Sequence, residues 1–155
     1  IFRRAVLNFK FHNCGAYAEL LSHEMVRSIK DVYRDREFDL VTCVPMHKDT
    51  LRKRGYNQAE LLAKECARLL GIEYADLLAK TKKNKTQHSI KAAERAKNVI
   101  GVYSPIDKNL IKGKRILIID DIITTGSTLG ECARILNKCK CGEICCCTLC
   151  TSLLI

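Results

Sequence analysis

Between Gly15 and about Arg34 the apolar residues Ala18, Leu21, Met25, Val26 and Ile29 recur three and four apart, which predicts an amphipathic helix with one face on a core. The pattern then changes to the β-rich run Phe38 to Val44, stopped by Pro45. Asn57 followed by Glu60 reads as a capping box that starts a helix through Leu61, Leu62, Cys66, Leu69 and Leu70 and ends it at Gly71. Residues 80–89 carry almost no apolar side chains and predict an exposed, mobile loop before a short helix containing Ala92, Ala93 and Ala96. Arg115 to Ile119 and Ile144 to Leu149 read as buried strands, with a helix over Ser127 to Lys138 between them. Strands alternating with helices predict an α/β fold whose central sheet is mostly parallel and flanked by helices.

The length of 155 residues fits one domain over residues 1–155, with an N-terminal helical part over 1–37 and the loop over 80–89. With 47% hydrophobic and 28% charged residues, disorder is excluded as the main state. No apolar run is long enough to predict a membrane span, and the opening residues lack the apolar core of a secretory signal. The chain opens on Ile1 rather than Met, which predicts a fragment. Of the ten cysteines, six are packed between Cys139 and Cys150, and the C-x-x-C pair Cys147 and Cys150 falls on opposite faces of a predicted strand, so a shared metal is not expected. Unpaired thiols in that number predict a reducing, cytoplasmic setting.

Charge narrows the choice of partners. Lys and Arg number 27 against 17 Asp and Glu, a formal net charge of +10 that predicts a polyanion, either phosphate or nucleic acid. One basic stretch holds Lys80, Lys82, Lys83, Lys85, Lys91, Arg95 and Lys97; a second holds Lys48, Arg52, Lys53 and Arg54 around Asp49. A solvated surface explains any one of these lysines equally well.

The most specific segment follows the Ile116 strand: Asp120-Asp121-Ile122-Ile123-Thr124-Thr125-Gly126-Ser127-Thr128. Ligands of open α/β sheets bind outside the carboxyl ends of strands. Thr124 to Thr128 form a hydroxyl-rich turn in which Gly126 lets the backbone come close, and the turn opens into a helix whose first amides suit a phosphate. The carboxylates of Asp120 and Asp121 suit sugar hydroxyls or a divalent cation held through water. A plain strand-to-helix turn with a capping residue is the alternative, but two adjacent carboxylates ending an apolar strand repel one another and call for a compensating partner. A P-loop and a dinucleotide fingerprint are both absent.

The string from Ile118 to Thr128 resembles the phosphoribosyl diphosphate motif of type I phosphoribosyltransferases. Val44-Pro45 with Arg54-Gly55-Tyr56-Asn57-Gln58-Ala59, and Gln87 with Glu94-Arg95 and Asn98-Val99, are similar to the pattern of the competence protein F (ComF) family. Members of that family commonly begin with a four-cysteine zinc module, which this sequence lacks, and Lys80 stands where arginine is usual.

The resemblance implies a type I phosphoribosyltransferase-like fold that binds phosphoribosyl diphosphate with Mg²⁺ and transfers phosphoribosyl to an unnamed acceptor. Asp120 and Asp121 would meet the ribose hydroxyls and the Mg²⁺, while Thr124, Thr125, Gly126, Ser127 and Thr128 would cradle the 5-phosphate. The diphosphate would meet Lys48, Arg52 and Arg54 in the loop after Pro45, helped by the backbone amides of Met46 and His47. The side chains of His12, His23 and His47 have no partner visible in sequence. Arg95 and Asn98 share a face of the short helix and can brace the loop or touch substrate, so Arg95 joins the two acids as a catalytic candidate. The 80–89 segment would close over the site, and a hood for the acceptor would come from residues 1–14 and the N-terminal helix. The competing reading, also implied by the family, is a non-enzymatic DNA-uptake component that binds single-stranded DNA or competence-machinery proteins. Basic charge favours it, whereas 6% aromatic residues and no Trp supply few stacking platforms. A homodimer is compatible with either.

Overall fold

The computed structural model describes residues 15–82 and 99–151. Its centre is made by the two runs that read as continuous apolar strands, β1 (Leu40–Cys43) and β5 (Arg115–Ile123). Each is covered on both faces, which is why neither alternates apolar with polar. With β2 (Glu73–Tyr74) and β6 (Glu143–Thr151) they form a four-stranded sheet in the order β2-β1-β5-β6, every pairing parallel. This is the expected helix-flanked parallel sheet.

The period-two geometry of β5 divides the core in two. Leu117 and Ile119 face α1 (Gly15–Val32) and α3 (Gln58–Leu70), packing with Leu21, Met25, Leu62 and Cys66. Ile116 and Ile118 face α5 (Ser127–Lys138), packing with Cys132, Ile135 and Leu136. The predicted apolar stripe of α1 is therefore spent on this core, chiefly against α3 and also against β6. Its C-terminal side is tied to β6 by Tyr33, whose hydroxyl donates to the Cys146 carbonyl at 2.9 Å.

The Asn57 cap forms as expected: Asn57 Oδ1 accepts from the Ala59 amide at 3.2 Å, and Gly71 closes α3 at φ +67°. Glu60 instead holds Lys64 at 2.6 Å. At the opposite end of the sheet from Asp120, the Arg115 guanidinium grips both oxygens of Asp39, at 3.1 and 2.7 Å.

Four expectations need correction. β5 runs on through Asp120 and Asp121 to Ile123, because β6 continues to pair with it as far as Thr151. β6 is not fully buried; it ends the described sheet, so only Cys145 and Leu149 are sequestered along it. Lys80 does not begin a loop: it ends β3 (Leu78–Lys80), which pairs antiparallel with β4 (Tyr103–Pro105), Lys80 opposite Tyr103. The basic stretch after Pro45 is not a loop but a helix, α2 (Lys48–Arg54). A short α4 (Lys108–Ile111) precedes β5. Residues 83–89 of the predicted loop, the alanine-bearing helix with Arg95 and Asn98, and residues 1–14 lie outside the described residues.

Candidate functional site

A cavity of about 270 Å³ opens where β1 and β5 end, the place an open α/β sheet reserves for ligands. Asp120, Asp121 and Thr128 line it from one side, Met46, His47 and Arg54 from the other. Six residues chosen from sequence thus meet around one space.

Asp120 and Asp121 sit in the last stretch of β5, half-buried. One oxygen of each is committed to the following backbone: Asp120 Oδ1 accepts from the Asp121 amide at 2.9 Å, and Asp121 Oδ1 from the Ile122 amide at 2.8 Å. Neither carboxylate is in an ion pair among the described residues. Burial, reinforced by the neighbouring Asp121 charge, raises the Asp120 carboxyl well above the usual carboxylate range. A cation or hydrogen-bond donors from a ligand would relieve that cost.

Next along the chain, Gly126 turns β5 into α5 at φ +75°, a left-handed conformation that disfavours any other residue. A Cβ there would meet Ile123 Cδ1 at an ordinary 3.7 Å, so glycine is required by the dihedral and not by close approach. Gly126 is the N-cap residue and supplies no side-chain cap. The Ser127 amide donates to the Thr125 hydroxyl at 3.4 Å, and the next amides of this 12-residue helix keep their donor capacity, in the favourable field of the helix N-terminus. Thr124 and Thr125 are exposed on the bend, and the Thr125 and Ser127 hydroxyls lie 2.8 Å apart.

On the opposite wall, His47 caps α2 by accepting the Asp49 amide on Nδ1 at 3.2 Å, a local partner two residues away. Gly55 ends the helix at φ +88°. Winding this segment into a helix separates its basic side chains. Lys48, Arg52 and Arg54 are all exposed, but only Arg54 lines the cavity, where its Nη1 donates to Gln58 Oε1 at 3.1 Å.

Lys80, Tyr103, Thr50, Asn57 and Gln58 also line the cavity and were not among the residues chosen from sequence. Asn57 carried a signal, the cap; its Nδ2 also donates to the Val44 carbonyl at 3.1 Å, bracing the end of β1. Lys80 carried one as the basic position of the family pattern, without a site role, and Tyr103 carried none; only the β3–β4 pairing brings them together, the Lys80 ammonium 5.5 Å from the Tyr103 ring centroid. Of the hood expected over residues 1–37, the described helix α1 packs against α3 and β6, and none of its residues lines the cavity.

No group of three or more His, Cys, Asp or Glu among the described residues is arranged to hold a metal ion. Asp120 and Asp121 offer a divalent cation two carboxylates. That donor set fits Mg²⁺, which is usually held by one or two carboxylates, water and substrate phosphates.

Comparison with known proteins agrees with this geometry. The phosphoribosyl transferase domain family matches residues 57–153, and the chain belongs to that family. Its relatives include Competence protein F of Haemophilus influenzae, 31% identical over 144 residues, which covers 90% of this chain and 63% of that protein. Competence protein ComFC of Streptococcus pneumoniae is 30% identical over 79% of this chain and 49% of its own length. DNA utilization protein YhgH of Escherichia coli K12 is 28% identical over 83% of this chain and 58% of its own. The sequence resemblance to the ComF family is thus supported, and the chain spans about half to two thirds of these relatives. Among solved structures, adenine phosphoribosyltransferase of Saccharomyces cerevisiae superposes with a TM-score of 0.56 at 14% identity, over 94% of this chain and 73% of that one. This is a likeness of fold. No described helix is long and apolar enough to cross a membrane.

Proposed function

We propose that this chain binds phosphoribosyl diphosphate in the cavity at the ends of β1 and β5 and presents its anomeric carbon to an acceptor. One observation carries the reading. An acidic pair held in no described ion pair adjoins a helix N-terminus whose N-cap residue, Gly126, has no side chain to occupy it, the arrangement that a ribose 5-phosphate complements.

In this reading the α5 amides and the hydroxyls of Thr124, Thr125, Ser127 and Thr128 hold the 5-phosphate. Asp120 and Asp121 accept from the ribose hydroxyls and stabilise positive charge as it develops on the sugar. The diphosphate lies toward Arg54, Lys80 and the Met46 and His47 amides. The acceptor's lone pair forms a bond to the anomeric carbon while the bond to the diphosphate oxygen breaks, and the diphosphate leaves with that electron pair. Mg²⁺, held by Asp120, Asp121 and the diphosphate, would supply countercharge to the leaving group. Lys48 and Arg52 serve long-range attraction of the anion rather than contact. The test is calorimetric titration with phosphoribosyl diphosphate and Mg²⁺, using Asp120→Asn with Asp121→Asn as control. Binding by the native chain and its loss in the double variant support the reading; no binding by the native chain overturns it.

A second reading is supported by the exposed basic side of α2, which carries Lys48, Arg52 and Lys53, and by the similarity to DNA utilization protein YhgH. It makes the chain a single-stranded DNA-binding component of DNA uptake. Binding that weakens steeply with salt and is indifferent to phosphoribosyl diphosphate would favour it over the enzyme.

A further inference from the structure

The cavity's least expected feature is the pairing of Lys80 with Tyr103. β3 and β4 hold the two residues directly opposite one another. The Tyr103 side chain is buried at 6% exposure, and the Lys80 ammonium lies over its ring, 5.5 Å from the centroid. Tyr103 lines the cavity together with Thr128, in the first turn of α5. One rigid side chain therefore sits between a cation on one wall and the helix end on the other.

We propose that Tyr103 is a positioning residue of this site: its ring carries the Lys80 ammonium and its side chain lines the cavity with Thr128, fixing the spacing between two anion-binding groups that come from different elements. The proposal rests on the phosphoribosyl diphosphate reading and deepens it, because that ligand carries anionic groups at two ends of a sugar. A free-swinging lysine would meet either end, and a lysine seated on the ring meets only the one opposite α5.

The seat also preserves the charge. Lys80 is half-buried, and desolvation pulls its proton affinity below that of an ordinary lysine. The groups acting on it from neighbouring elements are Asp120 on β5 and Cys132 on α5. Burial pushes the Cys132 thiol up to about 12, which leaves it neutral and makes Asp120 the only one of the two that can be charged near neutral pH. The electron-rich face of Tyr103 adds a favourable interaction that does not depend on the ionisation of Asp120.

The experiment replaces Tyr103 with phenylalanine and then with mono-, di- and trifluorinated phenylalanines, which keep the ring's shape while withdrawing its electron density. Lys80 is followed by NMR of labelled lysine side chains, with its signal assigned by its absence in Lys80→Arg. Affinity for inorganic diphosphate with Mg²⁺ is measured alongside. Tyr103→Phe, which removes only the hydroxyl, is expected to weaken diphosphate binding about threefold and to leave the Lys80 titration in place. Increasing fluorination is expected to lower the Lys80 midpoint in steps, by about one pH unit over the series, and to weaken diphosphate binding about tenfold in total. A merely structural role for the ring would give equal Lys80 midpoints across these same-shaped rings, and that result overturns the proposal. Native protein that ignores diphosphate while Lys80 still steps down overturns the phosphoribosyl diphosphate reading and leaves the coupling of Tyr103 to Lys80 intact.

Discussion

Asn57 joins two elements of the site at once: Oδ1 caps α3 through the Ala59 amide, and Nδ2 donates to the Val44 carbonyl at the end of β1. The residue is 7% exposed, so neither bond is replaced by water when it is lost. Asn57→Ala removes both and is expected to destabilise the fold by about 2 kcal/mol in urea denaturation. Asn57→Ser keeps a capping oxygen but leaves the Val44 carbonyl without its donor, and the loss is expected to be smaller, about 1 kcal/mol. Equal losses in the two variants would show that the cap contributes nothing.

Gly126→Ala places a Cβ on a backbone at φ +75°. The expected cost is about 1 kcal/mol in stability, arising from the dihedral because the added Cβ meets Ile123 only at an ordinary contact distance. Since the bend can relieve this strain only by re-aiming the α5 amides, affinity for ribose 5-phosphate should fall as well. A variant with native stability and native affinity would remove the bend from the account.

Asp120 gives a pH dependence of definite sign. Its folded-state pKa is raised above the ordinary 3.8, chiefly by burial and then by the Asp121 charge. The native state therefore binds this proton more tightly than the unfolded chain does. The resulting stability is fully present below the ordinary carboxyl pKa and is lost as pH rises through the folded value. Asp120→Asn removes this dependence, so without ligand the variant should melt above the native protein at neutral and mildly alkaline pH, with the gap closing toward acid. Thermal melts across that range check it; a variant that melts lower throughout contradicts it.

Asp39 has the opposite sign. Hydrogen bonds from the Arg115 side chain and amide hold its carboxyl well below the usual range. Its contribution is present above the ordinary pKa and is lost as pH falls through the folded value. Asp39→Asn should accordingly narrow the stability difference between neutral and strongly acid pH, as measured by urea denaturation at both. An unchanged difference would mean that the pair is inert.

The parts of the fold that were legible in sequence are those governed by local period and by caps. The apolar run from Ile116 to Ile119, the α1 stripe and the Asn57 and Gly71 termini all carry their meaning within a few residues. The motif from Asp120 to Thr128 was legible for the same reason, being contiguous. The meeting of Lys80 with Tyr103 was not, because they lie 23 positions apart on three-residue strands and meet only through antiparallel pairing. The basic stretch at Lys48 misled in another way. Its charge was visible, but the helix that brings Arg54 to the cavity lining without Lys48 and Arg52 depends on His47 acting as a cap, which a histidine does not announce. β6 read as buried because its composition is apolar, whereas its position at the end of the described sheet leaves much of it only half-covered.

The central claim is that a sugar phosphate is held where the acidic pair meets the start of α5. Backbone NMR during titration with ribose 5-phosphate tests it most directly. The account predicts saturable shifts of the Gly126, Ser127 and Thr128 amides, abolished by high inorganic phosphate, with the amides of α4 unmoved. Shifts confined to the exposed basic side of α2, with the bend silent, would contradict it.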